Sequence, residues 1–140
     1  MKKQILFIVC FLFFLNAFSQ EKEKTNDVNR RFDAALFPYG ISKINVYSSK
    51  ECGRCGNVVD LLKKDSIVFN EYDLTDPKVF EEMNAKVYKA VPYKDLTIIT
   101  EYPVFEIDTI IFHHIEDHVK FAQDLIEYLH GKKADKVIPE

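Results

Sequence analysis

Cysteine is scarce in this 140-residue chain, which has three, at positions 10, 52 and 55. A secreted domain held together by disulfides carries more of them at wider spacing, so a disulfide scaffold is excluded. Charge of one sign never dominates a long segment. The 19 basic and 22 acidic residues give a net charge of −3, and no basic patch is interleaved with aromatics, which makes nucleic acid a poor partner. Internal repeats and low-complexity tracts are missing as well. Long apolar runs are missing with one exception, Ile5 to Leu15.

That run follows the basic start Met1-Lys2-Lys3 and precedes Ala17-Phe18-Ser19, small residues at −3 and −1 of a cleavage site. The pattern is that of a signal peptide over residues 1–19. The run falls short of the ~20 apolar residues of a comfortable membrane span. Membrane association is expected only through this segment, and only if it stays uncleaved. The expected location is therefore exported, periplasmic or otherwise extracytoplasmic. Cleavage removes Cys10, Lys2 and Lys3, leaving Cys52 and Cys55 as a lone close pair and a chain two units more acidic. Residues 20–40 read as a polar leader with a short amphipathic helix through Phe32, Ala35 and Leu36, stopped by Pro38 and Gly40. Residues 132–140 read as a polar tail. The length between, 41–131, supports one domain with its own core.

A lone close cysteine pair in an exported chain points to redox or metal chemistry. Here the pair lies in Ser48-Ser49-Lys50-Glu51-Cys52-Gly53-Arg54-Cys55. An apolar alternating run, Ile44 to Tyr47, precedes it, and a helical pattern, Val58 to Lys64, follows. A strand thus delivers a C-x-x-C to the first turn of a helix. Unpaired backbone N–H groups and the helix dipole favour negative charge there, so a Cys52 thiolate is stabilised and its pKa lowered. Cys55, three residues on, is placed to attack a mixed disulfide at Cys52. Arg54 favours the thiolate by charge attraction, and Glu51 opposes it.

The remaining pattern predicts strand Ser42–Tyr47, helix Gly53–Lys64 buried through Val58, Val59, Leu61 and Leu62, and strand Ile67–Asp73. Strand, helix and strand in this span form a βαβ unit with parallel strands. Thr75 or Asp76 caps a second helix with Pro77 at its first position, buried through Val79, Phe80, Met83 and Val87, with Glu81, Glu82 and Lys86 outward. Pro92 ends it. Leu96–Ile99 fits either a short strand or a packed loop. Val104–Ile107 and Ile110–Phe112 flank a tight Asp108-Thr109 turn. The last helix spans about Glu116 to Leu129, buried through Val119, Ala122, Leu125, Ile126 and Leu129, with His118 and His130 solvated. Tyr39, Tyr47, Tyr72, Tyr88 and Tyr93 read as core or core-edge aromatics.

This order of elements, with Tyr102-Pro103 opening the hairpin, resembles glutaredoxin, the minimal thioredoxin-fold enzyme, over roughly Ile41 to His130. The resemblance implies an α/β, thioredoxin-like (glutaredoxin-type) fold, a four-stranded mixed sheet flanked by three main helices. It implies that Pro103 is cis beside the cysteines, a bond geometry that only proline adopts cheaply. It implies Cys52 as nucleophile, Cys55 as resolving thiol, and Tyr102 as a backbone hydrogen-bonding edge for substrate. Lys50 resembles the lysine that glutaredoxins keep before the motif, here two residues ahead of Cys52 where three is usual. Lys50, Arg54, Tyr102 and Pro103 are the expected substrate-binding residues. The chain departs from the family in Gly53-Arg54, where Pro-Tyr is typical, and in His113-His114-Ile115-Glu116-Asp117, where a Gly-Gly-x-Asp region holds glutathione.

The expected activity is thiol–disulfide exchange with protein or small-thiol substrates and a redox partner the sequence does not identify. No metal and no cofactor is expected, glutathione entering only as a reductant. Other readings of the pair stand beside this one. A structural disulfide closing so short a loop stabilises little. Half of a zinc site would need further ligands, with His113 or His114 the nearest in pattern. A non-catalytic interaction module on the same fold needs neither sulfur.

Overall fold

A computed structural model describes residues 31–91 and 100–135. Strand β1 (Ile44–Ser48) pairs in parallel with β2 (Asn70–Asp73) and antiparallel with β3 (Val104–Ile107). β3 pairs antiparallel with β4 (Ile110–Phe112), so the sheet order is β2-β1-β3-β4. Helices α1 (Gly53–Lys64), α2 (Pro77–Ala90) and α3 (His118–Asp135) flank it. All five residues of β1 are buried, as a central strand covered on both faces requires.

One face packs against α1 and α3. There Ile44, Val46, Phe105, Ile107 and Phe112 of the sheet meet Val58, Leu62, Phe121 and Leu125. The other face packs against α2, where Tyr47, Val104 and Ile111 meet Met83 and Val87. The described residues thus form an α/β structure with a four-stranded mixed sheet, consistent with a thioredoxin-like fold.

Local chemistry sets the boundaries. The Asp76 carboxylate accepts the Lys78 N–H at 2.9 Å and Pro77 opens α2, so Asp76 and not Thr75 is the cap. α1 ends through Ser66, at φ 57°, with the Ile67 N–H donating to the Leu62 carbonyl at 3.0 Å. That bond commits the Ile67 amide to the helix end. Strand β2 therefore starts at Asn70 and not at Ile67, and Val68 is left 90% exposed. In the hairpin turn, Asp108 (φ 53°) accepts from the Ser42 and Lys43 N–H groups and the Ser42 hydroxyl, tying the turn to the entry of β1. Asp117 accepts the Lys120 N–H at 2.9 Å, so α3 begins at His118 rather than Glu116 and runs on to Asp135.

Several side chains depart from expectation. His118 is buried and not solvated, and Phe121 is fully buried while Val119 is partly exposed. Tyr39 is fully exposed and Tyr88 half-exposed, so neither is a core aromatic. Phe80 also remains partly exposed. Lys86, expected outward, turns back onto the sheet to meet Glu106 and Tyr47. Among the described residues ahead of β1, the expected helix is a 3-10 turn (Ala34–Leu36), yet Phe37 is buried and Phe32 packs against it and against Phe121. The readings of Leu96–Ile99, Pro92, Tyr93 and the first thirty residues lie outside the described residues.

Candidate active site

β1 ends at Ser48, and a turn closed by the Cys52 N–H on the Ser49 carbonyl (3.0 Å) brings the chain to α1. Cys52 is the N-cap of that helix, with extended backbone (φ −94°, ψ 104°), and its sulfur accepts the Cys55 N–H at 3.3 Å. The thiol position thus takes the place that an Asp or Ser side chain holds at an ordinary N-cap. Cys52 and Cys55 are joined as a disulfide, with their Cα atoms 5.3 Å apart. Their access to water differs. Cys55 is 1% exposed, whereas Cys52 is partly open.

Tyr102 and Pro103 arrive from the other side, at the head of β3. Their peptide bond is cis, Pro103 is buried, and the Tyr102 carbonyl oxygen lies 3.9 Å from Cys52 Sγ. Burial pushes the Tyr102 phenol above its ordinary pKa. Tyr102 also lines an open cleft of about 620 Å³ with Phe80, Asn84, Val87, Tyr88 and Thr100. The two ends of the candidate site, separated by fifty positions in the chain, are therefore adjacent in space.

Arg54 and Lys50 diverge from one another. The Arg54 guanidinium reaches the Glu101 carboxylate at 3.5 Å, linking the residue between the cysteines to the segment leading into Tyr102. Lys50 pairs instead with Asp73 at the end of β2, at 3.6 Å and largely in solvent. The structure thus brings Cys52, Cys55, Tyr102 and Pro103 together, adds Arg54 through Glu101, and turns Lys50 toward Asp73.

Two residues of this neighbourhood were not among those expected. Glu101 carries the charge opposite to Arg54 directly before Tyr102-Pro103. His118, the first residue of α3, is buried near the charges of Arg54 and Glu101. Burial, and then the nearby Arg54 charge, holds the His118 imidazole below its ordinary pKa against the pull of Glu101 and Asp117. Its position was legible, since 118, 121, 122 and 125 continue one helical stripe. Burial likewise lowers the pKa of His113, with His114 adding to the effect. Among the described residues no group of three or more His, Cys, Asp and Glu side chains is arranged to hold a metal ion. No helix among them is long and apolar enough to cross a membrane.

No protein-family model and no curated protein sequence matches this chain. Its chemistry is read from the residues themselves.

Proposed function

We propose that the protein is a thiol–disulfide oxidoreductase working through Cys52 and Cys55. One observation carries this reading. A partly open sulfur caps a helix, accepts a backbone N–H there, and stands beside the main-chain carbonyl of Tyr102, while its disulfide partner is shielded. The helix start stabilises a thiolate at Cys52 and so makes it both a better-populated nucleophile and a better leaving group.

In the reducing direction the Cys52 thiolate attacks one sulfur of a substrate disulfide. A Cys52–substrate bond forms, and the other substrate sulfur leaves as a thiolate that takes up a proton. Cys55 then gives up its proton and attacks Cys52 Sγ. The Cys52–Cys55 bond forms and the first substrate sulfur departs as a thiolate. Two electrons have passed to the substrate and the pair is oxidised. The reverse sequence introduces a disulfide, and the balance follows how strongly the reduced thiolate is held. Tyr102 supplies a main-chain edge to an extended substrate segment, Pro103 shapes that edge, and Arg54, tied to Glu101, lies beside it, whereas Lys50, paired with Asp73, is left out of this edge.

The resemblance to glutaredoxin supports the same chemistry. Because His113-His114 stands where that family has Gly-Gly, glutathione is proposed only as one reductant among small thiols, with disulfide-bearing proteins as the other substrate class. No cofactor or metal enters the mechanism. The basic, apolar and small-residue pattern of residues 1–19 supports an exported protein, which N-terminal sequencing of the mature form would check.

The deciding experiment is trapping. Cys55→Ser is expected to accumulate a mixed disulfide with a disulfide-bearing peptide, and Cys52→Ser to form none. Equal trapping by both variants, or by neither, removes the proposal.

A further inference from the structure

The stretch Ser48 to Cys55 holds two cations, Lys50 and Arg54, and each is answered by a carboxylate from elsewhere in the fold. Lys50 pairs with Asp73 at 3.6 Å, and Arg54 pairs with Glu101 at 3.5 Å. Glu51, directly before Cys52, is exposed, and its carboxylate has no ion-pair partner among the described residues. By sequence alone the rim of the candidate site is cationic. By structure its cations are cancelled and one carboxylate is left over.

Glu101 directly precedes Tyr102, whose carbonyl oxygen stands 3.9 Å from Cys52 Sγ, and Arg54 lies between the two cysteines. The ion pair therefore joins the two segments that a substrate disulfide at Cys52 must meet. The Arg54 side chain is 59% exposed and that of Glu101 44%. A pair so open to water adds little to stability. What it changes is the local field. Opposite charges this close largely cancel at distances beyond their separation, so Arg54 is withheld from an anion approaching Cys52.

We propose that Glu101 is a specificity-determining residue for disulfide exchange. By neutralising Arg54 it leaves the surroundings of Cys52 net acidic, and it directs exchange toward neutral and basic polypeptide disulfides over acidic ones. The inference rests on the oxidoreductase reading and names the substrate class of that same site. Glutathione, net negative at neutral pH, falls on the disfavoured side.

The test uses the Cys55→Ser chain with Cys52 reduced. Attack then forms the Cys52–peptide bond and releases the other half of the peptide disulfide as a thiolate. The probes are symmetric peptide disulfides that differ only in the residues flanking the cysteine, which are Asp, Asn or Lys. This parent should react fastest with the Lys peptide and slowest with the Asp peptide. Glu101→Gln keeps the side-chain length and removes the charge. In that variant the ratio of the Asp-peptide rate to the Asn-peptide rate should rise about threefold to fivefold, the scale of one exposed ion pair. A ratio taken within one variant cancels any change in the Cys52 nucleophile or in the folded fraction. Arg54→Gln should lower the ratio, and combining it with Glu101→Gln should return the ratio to near the parent. Raising NaCl from about 0.1 M to about 1 M shortens the screening length from about 10 Å to about 3 Å and should cut the gain below about twofold. A parent that prefers the Asp peptide overturns the proposal, as does an unmoved ratio in Glu101→Gln. A gain that survives Arg54→Gln, or one indifferent to salt, overturns it too. Failure to form a mixed disulfide with any of the peptides overturns the oxidoreductase reading itself, and the specificity falls with it.

Discussion

Glu106 shows how much one carboxylate can organise. It accepts from Asn45 at 2.9 Å, from the Tyr47 hydroxyl at 2.7 Å and from Lys86 at 2.7 Å, and Asn70 extends the chain of bonds to Asn45. Burial opposes its charge, but these bonds outweigh burial and hold its pKa below the ordinary value. The same contest pushes Lys86 up to about 12, burial again losing to Glu106 and Tyr47. Tyr47 moves upward chiefly through burial. Glu106→Gln should cost about 1–2 kcal/mol, discounted because Lys86 is itself half-exposed, and a urea titration would read it as a lower midpoint with unchanged slope. No loss would mean that the bonds merely replace equivalent ones to water. Lys86 was misread from periodicity because its long stem bends back from a polar helix face, which residue spacing does not report.

Helix ends decide most of the element boundaries, and they also decide which boundaries were readable. Asp76-Pro77 announces the start of α2 in the sequence itself. Asp76→Ala should lower stability by roughly 1 kcal/mol through the freed Lys78 N–H, visible as a drop in the thermal midpoint without loss of the Cys52–Cys55 pair. An unchanged midpoint would show that water replaces the cap. The extents of α1 and of the hairpin were equally legible, because the C-x-x-C, the Asp108-Thr109 turn and the apolar runs are all local signals. β2 was drawn too long because its first residues look like a strand, while the Ile67 amide is already engaged with Leu62. The stripe of α3 was read one position late, beginning at Val119 and so passing over His118 and Phe121. The Arg54–Glu101 ion pair joins distant parts of the chain, and no local pattern encodes such a meeting.

At the scale of the whole molecule, acid should act in two stages. Folding keeps His113 and His118 below their ordinary pKa of 6.5, so their contribution is complete above that pH and erodes as the pH falls toward their depressed folded values. Glu106, Asp108 and Asp73 are also lowered. Burial opposes the shift at the first two, where hydrogen bonds win, whereas at Asp73 the Thr75 N–H and hydroxyl lead. Their contribution persists until the pH drops below ordinary carboxylate values, about 4. Thermal midpoints measured from pH 8 to pH 3 should therefore fall first between neutral and mildly acidic pH and again in strong acid. A flat profile down to pH 5 would show that the buried imidazoles charge without penalty. The rings ahead of β1 matter at this scale too. Phe32 stacks on Phe37, and Phe37 gives its carbonyl to the Tyr128 hydroxyl of α3. A fragment trimmed to begin at Ile41 would bare Phe112, Phe121 and Tyr128 together, turning a tidy-looking domain boundary into a sticky one that should self-associate on a sizing column.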